Sequence, residues 1–137
     1  MTKPNRQALL DAAAQARLQA VAPYSRFQVG AALLTARGII ITGANVESAS
    51  YGLTCCAERV ALFKALTSGE RDFVAIAVVA AVEGGPTPCG ACRQLLAEYA
   101  PVATVWTAHP ARLADCREFS VSALLPAAFT AFQPDKP

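Results

Sequence analysis

Histidine, tryptophan and methionine occur once each in 137 residues, and only 16% of the chain is charged. The lone His109 follows an apolar run and precedes Pro110 with no ligand spacing around it, so it reads as a loop histidine and not as a catalytic base. Trp106 reads as core. Basic residues never cluster: 12 Lys and Arg against 10 Asp and Glu give a net charge of +2, spread singly from Lys3 to Lys136. Without a positive stripe to grip a phosphate backbone, nucleic acid is excluded as the natural partner and a small, weakly charged substrate is favoured. No apolar run reaches the roughly 18–20 residues of a membrane span, and the polar, Ala-rich start has no continuous apolar core of the kind a secretory signal needs. The expectation is a cytoplasmic protein with no membrane partner. Internal repeats and low-complexity segments are also missing.

What the chain has in surplus is apolar surface, at 54% of residues. The length suits one domain spanning residues 1–137, with about 1–4 and 133–137 frayed, and the apolar excess leans toward an oligomer. Leu9, Ala13, Ala16 and Ala20 recur at helical spacing, which predicts a first helix from about Asn5 to Val21, stopped by Pro23. From Phe27 the period changes to two, with Val29, Ala31 and Leu33 on one side, and a turn at Ala36-Arg37-Gly38 leads into Ile39 to Thr42; this is a β-hairpin. Cys56 to Leu66 predicts a helix ended by Gly69. Phe73 to Val82 has the continuous apolar character of a strand buried on both faces. A loop through Gly84-Gly85-Pro86-Thr87-Pro88 then delivers Cys89 to a helix that runs to about Tyr99, before Pro101. Val102 to Thr107 is the next strand, followed by a short strand near Glu118 to Val121 and a turn of helix near Ser122 to Leu125. The order α-β-β-α-β-α-β-β implies an α/β protein with a mixed sheet and helices packed on it.

Five cysteines, an odd number with two adjacent at Cys55 and Cys56, suit metal ligation in a reducing compartment better than a disulfide framework. Cys56-Ala57-Glu58 precedes Pro88-Cys89-Gly90-Ala91-Cys92, and together they supply three thiolates and a carboxylate. A structural zinc is normally closed by four protein ligands, whereas a catalytic Zn²⁺ keeps three and leaves a position for water. Cys56, Cys89 and Cys92 are the candidate ligands, and Glu58 the candidate proton carrier. Each half alone has a plainer explanation: Cys-x-x-Cys opening a helix also fits a redox pair, and a glutamate in a first helical turn is favoured by the helix dipole. Three thiolates on Zn²⁺ sum to a charge of −1, so Arg59 is the candidate cation to offset it; its plain alternative is a surface ion pair. Cys55 and Cys116 read as small buried hydrophobes, although either could in principle close the site as a fourth ligand of a non-catalytic zinc or redox module.

The Cys-x-Glu…Pro-Cys-x-x-Cys arrangement is similar to the signature of zinc nucleobase and nucleoside deaminases, with Cys56 where that pattern usually has His. The chain resembles the cytidine deaminases of the short, homotetrameric, three-cysteine type from about Arg6 to Phe129. The segments that carry the resemblance are Ala22-Pro23-Tyr24-Ser25-Arg26-Phe27-Gln28-Val29-Gly30-Ala31-Ala32, Asn45-Val46-Glu47, the two zinc segments extended to Arg59 and to Arg93-Gln94, and Leu124-Leu125-Pro126 with Phe129. The resemblance implies a three-layer fold with a five-stranded mixed sheet, a zinc cofactor and hydrolytic deamination of cytidine or deoxycytidine in pyrimidine salvage. It also implies that Asn45 and Glu47 hold the ribose hydroxyls, Phe27 packs on the nucleoside, and the Ala57 N–H meets the pyrimidine carbonyl. Tyr51 and Phe129 would enter a site from neighbouring subunits of a homotetramer. Ala127 departs from the pattern, standing where a Gly is common. Blasticidin-type deaminases share the scaffold, and Glu47 and Arg59 argue against them.

Overall fold

Residues 5–131 are described by a computed structural model; the chain ends expected to fray lie outside them. Helix α1 spans Arg6–Ala16, strands β1 and β2 Gly30–Thr35 and Ile40–Ala44, helix α2 Ala57–Thr67 and strand β3 Phe73–Val79. Helix α3 follows at Gly90–Tyr99, then β4 at Thr104–Ala108, β5 at Arg117–Ser120 and the short α4 at Val121–Leu124. The strands form one sheet in the order β2-β1-β3-β4-β5. Only β3 and β4 run parallel; the other neighbours are antiparallel. A parallel pair needs a crossover, and α3 with the loop before it is that crossover.

Alternation along β1 explains the three layers. Ala31 and Leu33 join Leu62, Ile76, Val78, Leu96 and Val105 on one face, where α2 and α3 lie. Ala32 and Leu34 join Leu9, Leu10, Ala13 and Trp106 on the other, beneath α1. All six β1 residues are buried, as a strand covered on both faces must be, and each fully buried Leu contributes about 1.5–3 kcal/mol. Two glycines let the helices approach the sheet. A Cβ at Gly43 would lie 2.5 Å from the Ala61 nitrogen of α2, and one at Gly30 would lie 2.0 Å from the Ala13 oxygen of α1. Gly43 therefore allows α2, and the residues at its N-terminus, to sit close on β2.

The first helix is shorter than its periodicity predicts. The α-helix ends at Ala16 and tightens into a 3₁₀ turn at Arg17–Gln19. Val21 is drawn out of the helix by a bridge to Val46, with the Val21 N–H bonded to Asn45 O at 2.9 Å and the Glu47 N–H to Val21 O at 2.8 Å. Strand β1 begins three residues later than expected, because the Asn45 side chain takes over the preceding backbone: Oδ1 accepts from the Val29 N–H at 2.8 Å and Nδ2 donates to Phe27 O at 2.9 Å. The end of α2 falls as predicted, with Gly69 at φ 88. Trp106 is core and donates its indole N–H to Glu118 at 2.7 Å.

Candidate functional site

Four α-helices occur among the described residues, and their N-termini differ in a way that locates the site. Asn5 caps α1 by accepting the Ala8 N–H, and Ser120 caps α4 by accepting the Ala123 N–H. The N-cap positions of α2 and α3 are held instead by Cys56 and Cys89, and neither side chain makes a capping hydrogen bond. The first-turn N–H groups of these two helices thus keep their partial positive charge for anions, and sulfur placed there is favoured as thiolate.

The two ends converge. Cys56 Sγ lies 3.8 Å from Cys89 Sγ, Cys89 Sγ lies 3.5 Å from Cys92 Sγ, and all three atoms fall within 4.8 Å of one another. Two sulfurs each bound at about 2.3 Å to a tetrahedral zinc would stand about 3.8 Å apart, so the donor set fits that ion. Cys55 and Cys116 are free thiols outside the cluster; among the described residues no fourth cysteine closes it. Cys116 packs against the core beneath α1, and His109 accepts the Ala111 N–H in the loop after β4.

Electrostatics within the cluster are uneven. A hydrogen bond from Cys92, followed in weight by one from Arg59, brings the Cys56 thiol down to about 5. Cys92, the donor in that bond and buried, is held well above the usual thiol range, and burial pushes Cys55 up. Arg59 Nη2 stands 3.4 Å from Cys56 Sγ and 3.3 Å from Thr54 O. Its Nε is buried without a hydrogen-bond partner among the described residues. A guanidinium so placed bears a desolvation cost that an anionic thiolate cluster offsets. Among the described residues the surface ion pair considered as its alternative is not formed, since its contacts are to sulfur and a carbonyl.

Glu58 follows Cys56 by two residues in the first turn of α2 and is 6% exposed. Burial pushes its carboxyl up to about 7, where both protonation states are populated near neutrality, as a group that accepts and then donates a proton requires. Ala57, between them, is fully buried at the start of the helix.

Beside the cluster lies a cleft of about 370 Å³ lined by Tyr24, Ser25, Glu47, Ser48, Tyr51 and Thr54. Its lining stops at Thr54, short of the sulfurs themselves. The Glu47 carboxylate accepts the Tyr24 and Ser25 N–H groups at 3.0 Å each and also the Ser25 hydroxyl. The Ser25 hydrogen bonds, above all that from its hydroxyl, hold the Glu47 carboxyl below the usual carboxylate range. Ser25 Oγ in turn accepts the Phe27 N–H at 3.0 Å. Phe27 is 37% exposed. Asn45 is buried at the back of this segment and bonded to the backbone on either side of Gln28. Tyr51 and Phe129 are largely exposed, at 79% and 68%; the Phe129 carbonyl accepts from Gln94 Nε2 of α3 at 2.6 Å. Ala127 adopts φ 53, a left-handed backbone that costs an L residue roughly 1–2 kcal/mol, which is why glycine suits that position. The hold of Ser25 on Glu47 and on Phe27 was not visible in the sequence.

The pattern described as the cytidine and deoxycytidylate deaminase zinc-binding region matches residues 3–108 of the chain. A cytidine deaminase of Halalkalibacterium halodurans is 58% identical over 128 residues, covering 93% of this chain and 96% of that one. The crystal structure of a cytidine deaminase from Burkholderia pseudomallei superposes with a TM-score of 0.85 at 50% identity, covering 94% of this chain and 100% of that one. A blasticidin-S deaminase of Bacillus cereus is similar over less of the chain, at 34% identity across 56% of it.

Proposed function

The chain belongs to the cytidine deaminase family, in its short three-cysteine form, and we propose that it hydrolyses the 4-amino group of cytidine and deoxycytidine to give uridine and deoxyuridine with release of ammonia. The observation that carries this reading is the convergence of three sulfurs on one zinc-sized centre, with a buried carboxylate in the same helical turn. When bound, zinc lowers the pKa of a water and so makes hydroxide accessible near neutral pH. Cys56, Cys89 and Cys92 hold the ion, and Arg59 offsets their surplus negative charge.

Glu58 carries the proton. Its carboxylate accepts one from the attacking water and passes it to N3 of the pyrimidine as the C4–O bond forms; it then takes the remaining proton from the hydroxyl on C4 and delivers it to the departing amine as the C4–N bond breaks and the C4 carbonyl forms. The Ala57 N–H meets the pyrimidine carbonyl in this reading, which the lack of a side-chain cap at that helix N-terminus supports. Phe27 packs on the nucleoside. Glu47 and Asn45 address the sugar; Asn45, already bonded to backbone, has one amide hydrogen left for a hydroxyl.

The substrate is the free nucleoside. Glu47 sits in the cleft as a carboxylate held ionised by Ser25, and no Lys or Arg is among the described residues that line it. A phosphate would meet like charge with no cation in the cleft lining to compensate it. We expect kcat/KM for CMP to be on the order of 100-fold or more below that for cytidine, and deoxycytidine to stay close to cytidine because Asn45 and Glu47 act mainly on the 3′-hydroxyl. CMP turned over as well as cytidine would refute this assignment of the cleft.

The working unit is a homotetramer with shared sites. Tyr51, Leu53 and Phe129 are all largely exposed and would supply aromatic and apolar surface to a neighbour. Sedimentation at micromolar concentration should give a mass near four chains; a fully active single chain would contradict it. Five free thiols suit a reducing, cytoplasmic setting, and among the described residues no helix is long and apolar enough to cross a membrane.

A further inference from the structure

Cys89 is delivered to the cluster by residues 80–88, a stretch without helix or strand between β3 and α3. Gly84 and Gly85 lie within it at φ 73 and 80, two successive residues with the widest torsional freedom the chain can offer. Gly85 is seated so closely on β4 that a Cβ there would lie 2.1 Å from the Ala108 nitrogen. What holds this loop comes largely from edge strand β5. Arg117 Nε donates to Gly84 O at 3.1 Å and Arg117 Nη2 to Gly85 O at 2.6 Å, while Thr107 Oγ1 of β4 donates to Gly84 O at 2.8 Å. Beyond the glycines, Arg93 Nε donates to Pro88 O at 2.7 Å.

Arg117 is itself oriented. It shares a face of β5 with Phe119, whose ring centroid is 5.6 Å from the guanidinium carbon, and Phe119 packs against the core on the α2 and α3 side of the sheet. We infer that Arg117 is a positioning residue for the zinc site: its planar fork spans the two glycine carbonyls, holds the loop in one conformation, and so fixes where Cys89 stands relative to Cys56. An ammonium has its three donors on one atom at the end of a flexible stem and does not reproduce the fork's two separate, fixed donor positions. The inference rests on Cys89 being a zinc ligand.

The test measures zinc release to a competing chelator, the visible spectrum of the cobalt-substituted protein, and steady-state kinetics with cytidine. Arg117→Ala should release zinc about tenfold faster, the scale on which loss of an outer support acts at metal sites. Its cobalt bands should shift, and kcat should fall with KM little changed. Methylguanidinium in solution should slow release from this variant and leave the wild type unaffected. Arg117→Lys should fall between the two. A folded Arg117→Ala protein with wild-type release rate and cobalt spectrum would overturn the inference. If that variant does not fold, Arg117→Lys decides, and a wild-type release rate there overturns it equally. Zinc lost from Cys89→Ala but released normally from Arg117→Ala would condemn the role of Arg117 alone; zinc retained by Cys89→Ala would condemn the ligand assignment beneath it.

Discussion

Replacing Glu58 by Gln should leave zinc bound and lower kcat for cytidine by roughly 10²–10⁴-fold, the usual worth of a positioned acid–base group. Gln keeps the shape and burial of the side chain and removes its capacity to accept and return a proton. The site offers no substitute among the described residues: His109 is bonded in the loop after β4, and Glu47 is engaged by Tyr24 and Ser25. Glu58 is also the carboxylate that burial pushes up to about 7, whereas the hydrogen bonds to Glu47 push its carboxyl the other way. One acid is tuned to exchange a proton and the other to stay charged, which is how a site divides labour between two carboxylates. Metal analysis and single-turnover kinetics on the variant check this, and near-wild-type turnover would remove Glu58 from the chemistry.

Cys89→Ala should lose zinc altogether on mild dialysis, together with activity. Removing one of three protein ligands should cost far more than the roughly 10–100-fold in affinity lost with an outer partner. Cys89 is a better probe than Cys92, because Cys89 is exposed and Cys92 is buried in the start of α3; truncating the exposed thiol leaves no core cavity. Cys116→Ala is the matched control, since that thiol is also free but lies apart from the cluster. It should keep its metal and its activity. Zinc lost from Cys116→Ala instead would point to a closed four-sulfur site and a structural ion.

The parts of this molecule that were legible in the sequence are those fixed by local rules. Gly69 ends α2, the Pro88-Cys89 step opens α3, and the apolar run from Phe73 makes a doubly covered strand, each through backbone preference or burial of neighbouring residues. The sulfur cluster was legible because its spacing has few other uses. Where sequence reasoning fell short, a long-range contact overrode a local preference. Val21 continues a helical pattern and still leaves the helix to bridge Val46; Asn45, which the resemblance assigned to the ribose, is bonded to the backbone of Phe27 and Val29, a contact no local pattern signalled. The grip of Arg117 on Gly84 and Gly85 crosses more than thirty residues of chain, and no periodicity within either segment encodes it.

The central claim is that a zinc ion held by Cys56, Cys89 and Cys92 is required for turnover of cytidine. An ultraviolet assay for loss of cytidine, run beside metal analysis while a strong chelator strips the protein, tests it most directly. The account predicts that activity falls in proportion to bound zinc and returns when Zn²⁺ is added back. Undiminished turnover by protein from which the zinc has been fully removed would contradict it.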